Sequence, residues 1–118
     1  MAKIAVVVLA DAETHADMGR LANALETAKE AKESGDSVQV IFDGAGTRWI
    51  PALENGEHPL HALYNGIRDV IAGACSFCAA AFEVKEQVEK SGVPLLSDYE
   101  GHPSLRGLVV DGYSVITF

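Results

Sequence analysis

Ile4-Ala5-Val6-Val7-Val8-Leu9-Ala10 is the longest apolar run of the chain. It is continuous, with no alternation of polar residues. A run of this kind is a strand covered on both faces, which a parallel sheet between two helical layers supplies. It is far too short to span a bilayer. It therefore predicts a first strand over Lys3–Leu9 and requires the following segments to bury it.

Those segments fit. Asp11 to Thr14 is a polar turn, and Thr14-x-x-Asp17 has the form of a capping box. Met18, Leu21, Ala22, Leu25 and Ala28 then recur at helical spacing, and Gly35 is a C-terminal stop. Ser37–Phe42 reads as a second strand. A short helix is expected around Trp49–Leu53, and another opens at His58-Pro59 with Leu60, Leu63 and Ile67 on its buried face. Val70–Ala74 is a third strand, followed by one helix with Phe77, Ala81, Val84 and Val88 on one side. Val93–Leu96 is a fourth strand. A last helix begins at His102-Pro103, and Tyr113–Phe118 is a fifth strand. Strands alternating with helices imply βαβ crossovers. The expected fold is an α/β three-layer sandwich around a five-stranded, mainly parallel sheet, formed as a single domain over residues 1–118. A chain of 118 residues buries enough surface to need no staple.

The net charge of -8 argues against nucleic acid or an anionic membrane as partner. The short N-terminal run, starting almost at Met1, is not read as a signal peptide, so a cytoplasmic protein is expected. Thiols stay reduced there, and a C-x-x-C pair is then more often functional than a structural disulfide.

Cys75 and Cys78, in "AGACSFCAAAF", are the only two cysteines. With strand three ending near Cys75, Ser76 is the expected N-cap and Cys78 falls in the first helical turn. Free amide groups there favour a thiolate, the species that attacks sulfur. Cys75 would modulate or resolve it. The plain alternative is two small apolar side chains in a core. A metal site needs two more ligands, and His58-x-x-His61 belongs to a helix that enters at the opposite edge, so no metal is expected. A thioredoxin-type site would place its pair earlier in the chain, with a proline between the cysteines.

In a parallel sheet, ligands sit beyond the carboxyl ends of the strands. The loops at that edge contain Asp11 and His15, then Asp43, Gly44 and Gly46, then Cys75, Ser76 and Cys78, then Tyr99 and His102. These are the candidate site residues. Gly44-Ala45-Gly46-Thr47-Arg48 is neither a P-loop nor a dinucleotide fingerprint and reads first as a turn. His15 reads first as a surface residue, and His102 as an N-cap. Trp49 is assigned to an oligomer contact. No cofactor is expected.

The stretch "GACSFCAAAF" after a short apolar strand, with "KIAVVVLADAE" at the start and "GYSVITF" at the end, resembles the DsrE/DsrF-like proteins, which include sulfur-relay subunits of the DsrEFH and TusBCD type. The resemblance covers essentially the whole chain. It implies an intracellular persulfide carrier or transferase without a cofactor. The match "CAAAF" gives Cys78 the role of sulfur acceptor, and Cys75 corresponds to an additional upstream cysteine. It also implies a homo-oligomer working with sulfur-donor and acceptor proteins. Two other functions stay open: a non-catalytic module binding a small ligand or partner, and a Cys75–Cys78 redox switch.

Overall fold

The structure is a computed structural model describing residues 1–118. Five strands, β1 (Lys3–Val8), β2 (Ser37–Phe42), β3 (Ile71–Cys75), β4 (Leu95–Leu96) and β5 (Ser114–Thr117), form one sheet in the order β4-β3-β2-β1-β5. Every pairing is parallel. The helices are α1 (His15–Glu33), α2 (Trp49–Glu54), α3 (His61–Gly66), α4 (Ser76–Ala81), α5 (Lys85–Ser91) and α6 (Leu105–Val110).

The N-terminal run lies where its continuity requires, in the centre of the sheet. Val6 and Val8 face one core with Leu21, Leu25, Ile50, Leu53 and Tyr64. Ala5 and Val7 face the other, against Leu108 of α6. Ala5 to Val8 are all without exposure. Full burial of one such aliphatic side chain contributes about 1.5–3 kcal/mol. Two apolar faces on one strand therefore account for the three layers. The layers are unequal: α1 to α5 supply one core, and α6 alone caps the other.

Helix α1 starts at the expected capping box. Thr14 Oγ1 accepts the Asp17 N–H at 3.1 Å, and Asp17 Oδ2 accepts the Thr14 N–H at 3.2 Å. The carboxylate of Asp17 is held below its ordinary range, first by its hydrogen bond with Thr14.

Three expectations need correction. The helix after β3 is two helices: Glu83, at φ 61°, turns the chain between α4 and α5. Within α4, Phe77 and Ala81 point outward, while Ala79 packs inward. The last helix begins at Leu105, not at His102. Its N-cap is Ser104, whose Oγ accepts the Gly107 N–H. Trp49 is 3% exposed and donates Nε1–H to the Ala10 carbonyl at 2.8 Å, so it belongs to the core and not to an exposed contact surface.

Candidate functional site

Four donors from three stretches of chain meet at the carboxyl ends of β2, β3 and β4. The ligand atoms of Asp43, Cys75, Cys78 and His102 all lie within 4.8 Å of one another. Each is there for a local reason.

Asp43 follows β2 and caps a 3₁₀ turn over Gly44–Arg48. Its Oδ1 accepts the Gly44 N–H at 2.8 Å. The turn packs tightly on β1. A Cβ on Gly46 would stand 2.1 Å from the Val8 carbonyl oxygen. Gly46 is thus a close-approach glycine whose N–H bonds the Asp43 carbonyl at 2.9 Å. Gly44 and Gly46 form the turn that aims Asp43, with both N–H groups already engaged by that residue.

Cys75 ends β3 and is itself the N-cap of α4: its Sγ accepts the Cys78 N–H at 3.3 Å. Ser76, expected as the cap, is instead the first helical residue. Cys75 is fully buried, and burial pushes its thiol up to about 12. Cys78 is half-buried, with its S–H directed at Asp43 Oδ1 at 3.5 Å. No disulfide joins the pair.

His102 arrives on a two-residue reversal. Tyr99 and His102 exchange backbone hydrogen bonds, each 2.8 Å. Glu100 and Gly101 between them have φ 50° and 83°, the doubly positive signature of a type I′ turn. The Gly101 carbonyl accepts the Phe77 N–H at 2.9 Å, which docks the turn on α4. The Phe77 ring lies 4.8 Å from the His102 ring, and His102 Nδ1 sits 3.2 Å from Cys75 Sγ.

The remaining candidates go elsewhere. Asp11 bonds Arg48, which also reaches Glu13 at 2.9 Å. His15 is exposed at the start of α1, and Tyr99 is 65% exposed on the turn. His58 and His61 are tied locally: His58 Nδ1 accepts the Leu60 N–H, and His61 Nδ1 lies 2.6 Å from the Leu53 carbonyl oxygen. The strand order reverses between β1 and β5, the usual ligand crevice of such sheets. Asp11 lies near that switch, whereas the thiol cluster sits over the other half of the sheet. His58 and His61, the compact histidine pair of the sequence, supply no donor to the cysteines. The donors present are Asp43 and His102, both already placed at this edge, and the signal for His102 was Glu100-Gly101 as a tight turn.

Chemically, the cluster has one accessible thiol with a carboxylate acceptor, and behind it a buried thiol with an imidazole. It supports thiol exchange, and it offers two sulfurs, one nitrogen and one oxygen to a cation. No helix is long and apolar enough to cross a membrane.

No protein-family profile matches the chain. It is 36% identical over 89 residues to the uncharacterised protein MJ0733 of Methanocaldococcus jannaschii, covering 75% of this chain and 72% of that protein. In fold it is similar to a conserved protein of unknown function, BT1422, from Bacteroides thetaiotaomicron. That likeness has a TM-score of 0.66 at 14% identity, over 97% of this chain and 94% of the other.

Proposed function

The chain belongs to the same family as the uncharacterised M. jannaschii protein, and from its thiol cluster we propose a thiol-based sulfur carrier or transferase of the DsrE/DsrF-like kind, working in the cytoplasm. The observation that carries this reading is the inequality of the two cysteines. Cys78 is reachable and faces an acceptor for its proton, while Cys75 is buried 3.2 Å from an imidazole nitrogen.

In the proposed cycle, Cys78 passes its proton toward Asp43 and attacks the outer sulfur of a donor persulfide, R–S–SH. The donor S–S bond breaks, RS⁻ leaves and takes up the proton, and a Cys78 persulfide forms. The exchange is redox-neutral. An acceptor thiolate removes the outer sulfur in the same way. Cys75 offers a second exit. With His102 taking its proton, it attacks the inner sulfur, expels HS⁻ and closes a Cys75–Cys78 disulfide. The two thiols are oxidised as the sulfane sulfur is reduced, and an external dithiol then resets the pair. Exposed Phe77 and Tyr99 beside the cluster give a donor, an acceptor or a second copy an apolar surface to meet.

Intact-mass measurement after incubating reduced, chelator-treated protein with a persulfide donor tests this. One added sulfur is expected, removed by dithiothreitol, retained in Cys75→Ser and lost in Cys78→Ser. Absence of the adduct from Cys75→Ser, where the second exit is closed, or its persistence in Cys78→Ser, overturns the reading.

A further inference from the structure

We infer that Asp43, Cys75, Cys78 and His102 form a tetrahedral binding site for a zinc-class divalent cation. The inference stands on the arrangement of the four donors and does not depend on the sulfur reading.

Geometry is the first support. Around a tetrahedral zinc with Zn–S about 2.3 Å and Zn–N or Zn–O about 2.0 Å, neighbouring donor atoms are roughly 3.3–3.8 Å apart. Here Cys75 Sγ and His102 Nδ1 are 3.2 Å apart, and Cys78 Sγ and Asp43 Oδ1 are 3.5 Å apart. No separation within the set exceeds 4.8 Å. Rotamer adjustments of at most about an ångström would close the set on one ion.

Charge is the second support. Two thiolates and a carboxylate around a neutral imidazole would carry three negative charges, and no ion pair of the chain supplies Asp43 with a Lys or Arg. A divalent cation compensates most of that charge and lets both sulfurs deprotonate.

Pre-organisation is the third. The Cys78 N–H already points at Cys75 Sγ, the Gly44 N–H holds the Asp43 carboxylate, and the Phe77 ring packs against the His102 ring. Such outer contacts orient ligands and tune their basicity. Two sulfurs and an imidazole favour zinc, cobalt or copper(I) over magnesium or calcium. Asp43 and Cys78 are half-buried, which leaves the ion a path of entry. Metal on the site would mask both thiols, so the loaded protein cannot accept sulfur.

Titration of the reduced, full-length protein with Co²⁺, followed by Zn²⁺ displacement, tests the inference. One equivalent of Co²⁺ should produce a thiolate-to-cobalt charge-transfer band and the intense ligand-field bands of a tetrahedral ion. Zn²⁺ should bleach them, and millimolar Mg²⁺ should not. His102→Phe keeps a ring against Phe77 and removes the nitrogen. It and Asp43→Asn should each weaken binding at least about tenfold, since loss of even an outer partner of a metal ligand costs about 10–100-fold. Circular dichroism verifies that both variants fold. Absence of the charge-transfer band in the wild type overturns the site outright. Equal affinity in folded Asp43→Asn and His102→Phe would reduce it to binding by cysteines alone and overturn the four-donor assignment. The persulfide assay on metal-free protein reads the sulfur proposal separately, so either can fail without the other.

Discussion

Two polar clusters sit at the same edge of the sheet, rooted in one 3₁₀ turn, and they differ in what balances their charge. At the end of the turn Arg48 lies between Asp11 and Glu13, 3.0 and 2.9 Å away. At its start Asp43 faces two thiols and an imidazole, with no cation of the chain beside it. The first cluster closes on itself. Its carboxylates have their partner, so nothing is left to recruit a ligand. The second gathers donors without a counter-charge. The same topology brings acidic side chains to both places, so position at the carboxyl edge does not make a site. A site forms where the donors brought together are not satisfied by the chain itself.

The shared root is the place to break both clusters at once. Gly46→Ala puts a methyl group against the Val8 carbonyl of the central strand, where the backbone cannot move aside. The turn has to shift, and with it Asp43 and Arg48. A loss of at least about 2 kcal/mol is expected, toward the upper part of the overpacking range. The urea midpoint should fall, and Cys78 alkylation should change rate. An unaltered midpoint would show that the turn is not the rigid link between the clusters.

The alkaline limb of stability isolates the thiol cluster. Burial raises the Cys75 thiol from 9.0 to about 12 in the folded protein. Between those values the folded chain holds a proton that the unfolded chain has released. The contribution is complete below pH 9 and is lost as pH rises toward 12, at no more than about 1.4 kcal/mol per pH unit. Urea titrations of metal-free protein from pH 8 to about 10, below the range in which buried Tyr64, also raised by burial, adds its own decline, should show this loss, and Cys75→Ala should flatten it. An equal slope in Cys75→Ala would assign the decline to other groups. Arg48→Met should leave the slope as it is, which separates the clusters.

Much of this was legible in the sequence. The unbroken Ile4–Ala10 run required a doubly covered central strand, and the βα alternation placed four loops at one edge. What escaped was conformation decided by single backbone angles. Ala79, Ala80 and Ala81 continue a helical pattern into Val84 and Val88, and nothing in that spacing announces Glu83 at φ 61°. Pro103 suggested a helix start, whereas Glu100-Gly101 had already turned the chain and delivered His102 to Cys75. Trp49 was assigned to a contact surface because aromatic residues favour interfaces, but its indole N–H had a buried carbonyl to satisfy. Asp43 and His102 were placed at this edge, but their joining the cysteines as a donor set was not read, for a related reason. A C-x-x-C pair prompts a search for a second motif of similar compactness, and Asp43 and His102 are isolated in sequence. They become neighbours only through parallel strand pairing.

The smallest effect expected is in the acidic cluster. Removing its cation with Arg48→Met leaves Asp11 and Glu13 facing each other, 32% and 58% exposed. At that exposure an ion pair contributes little to stability. The loss should shrink as sodium chloride rises from 20 mM to 1 M, because the Debye length falls from roughly 20 Å to about 3 Å. Thiol alkylation and cobalt binding should match the wild type at every salt concentration, since Arg48 touches none of the four donors. Thermal melts across that salt series, run beside the cobalt titration, provide the check. A salt-independent loss would mean that Arg48 acts through packing of its stem, and a change in cobalt affinity would mean that the two clusters are coupled through the turn between Gly44 and Arg48.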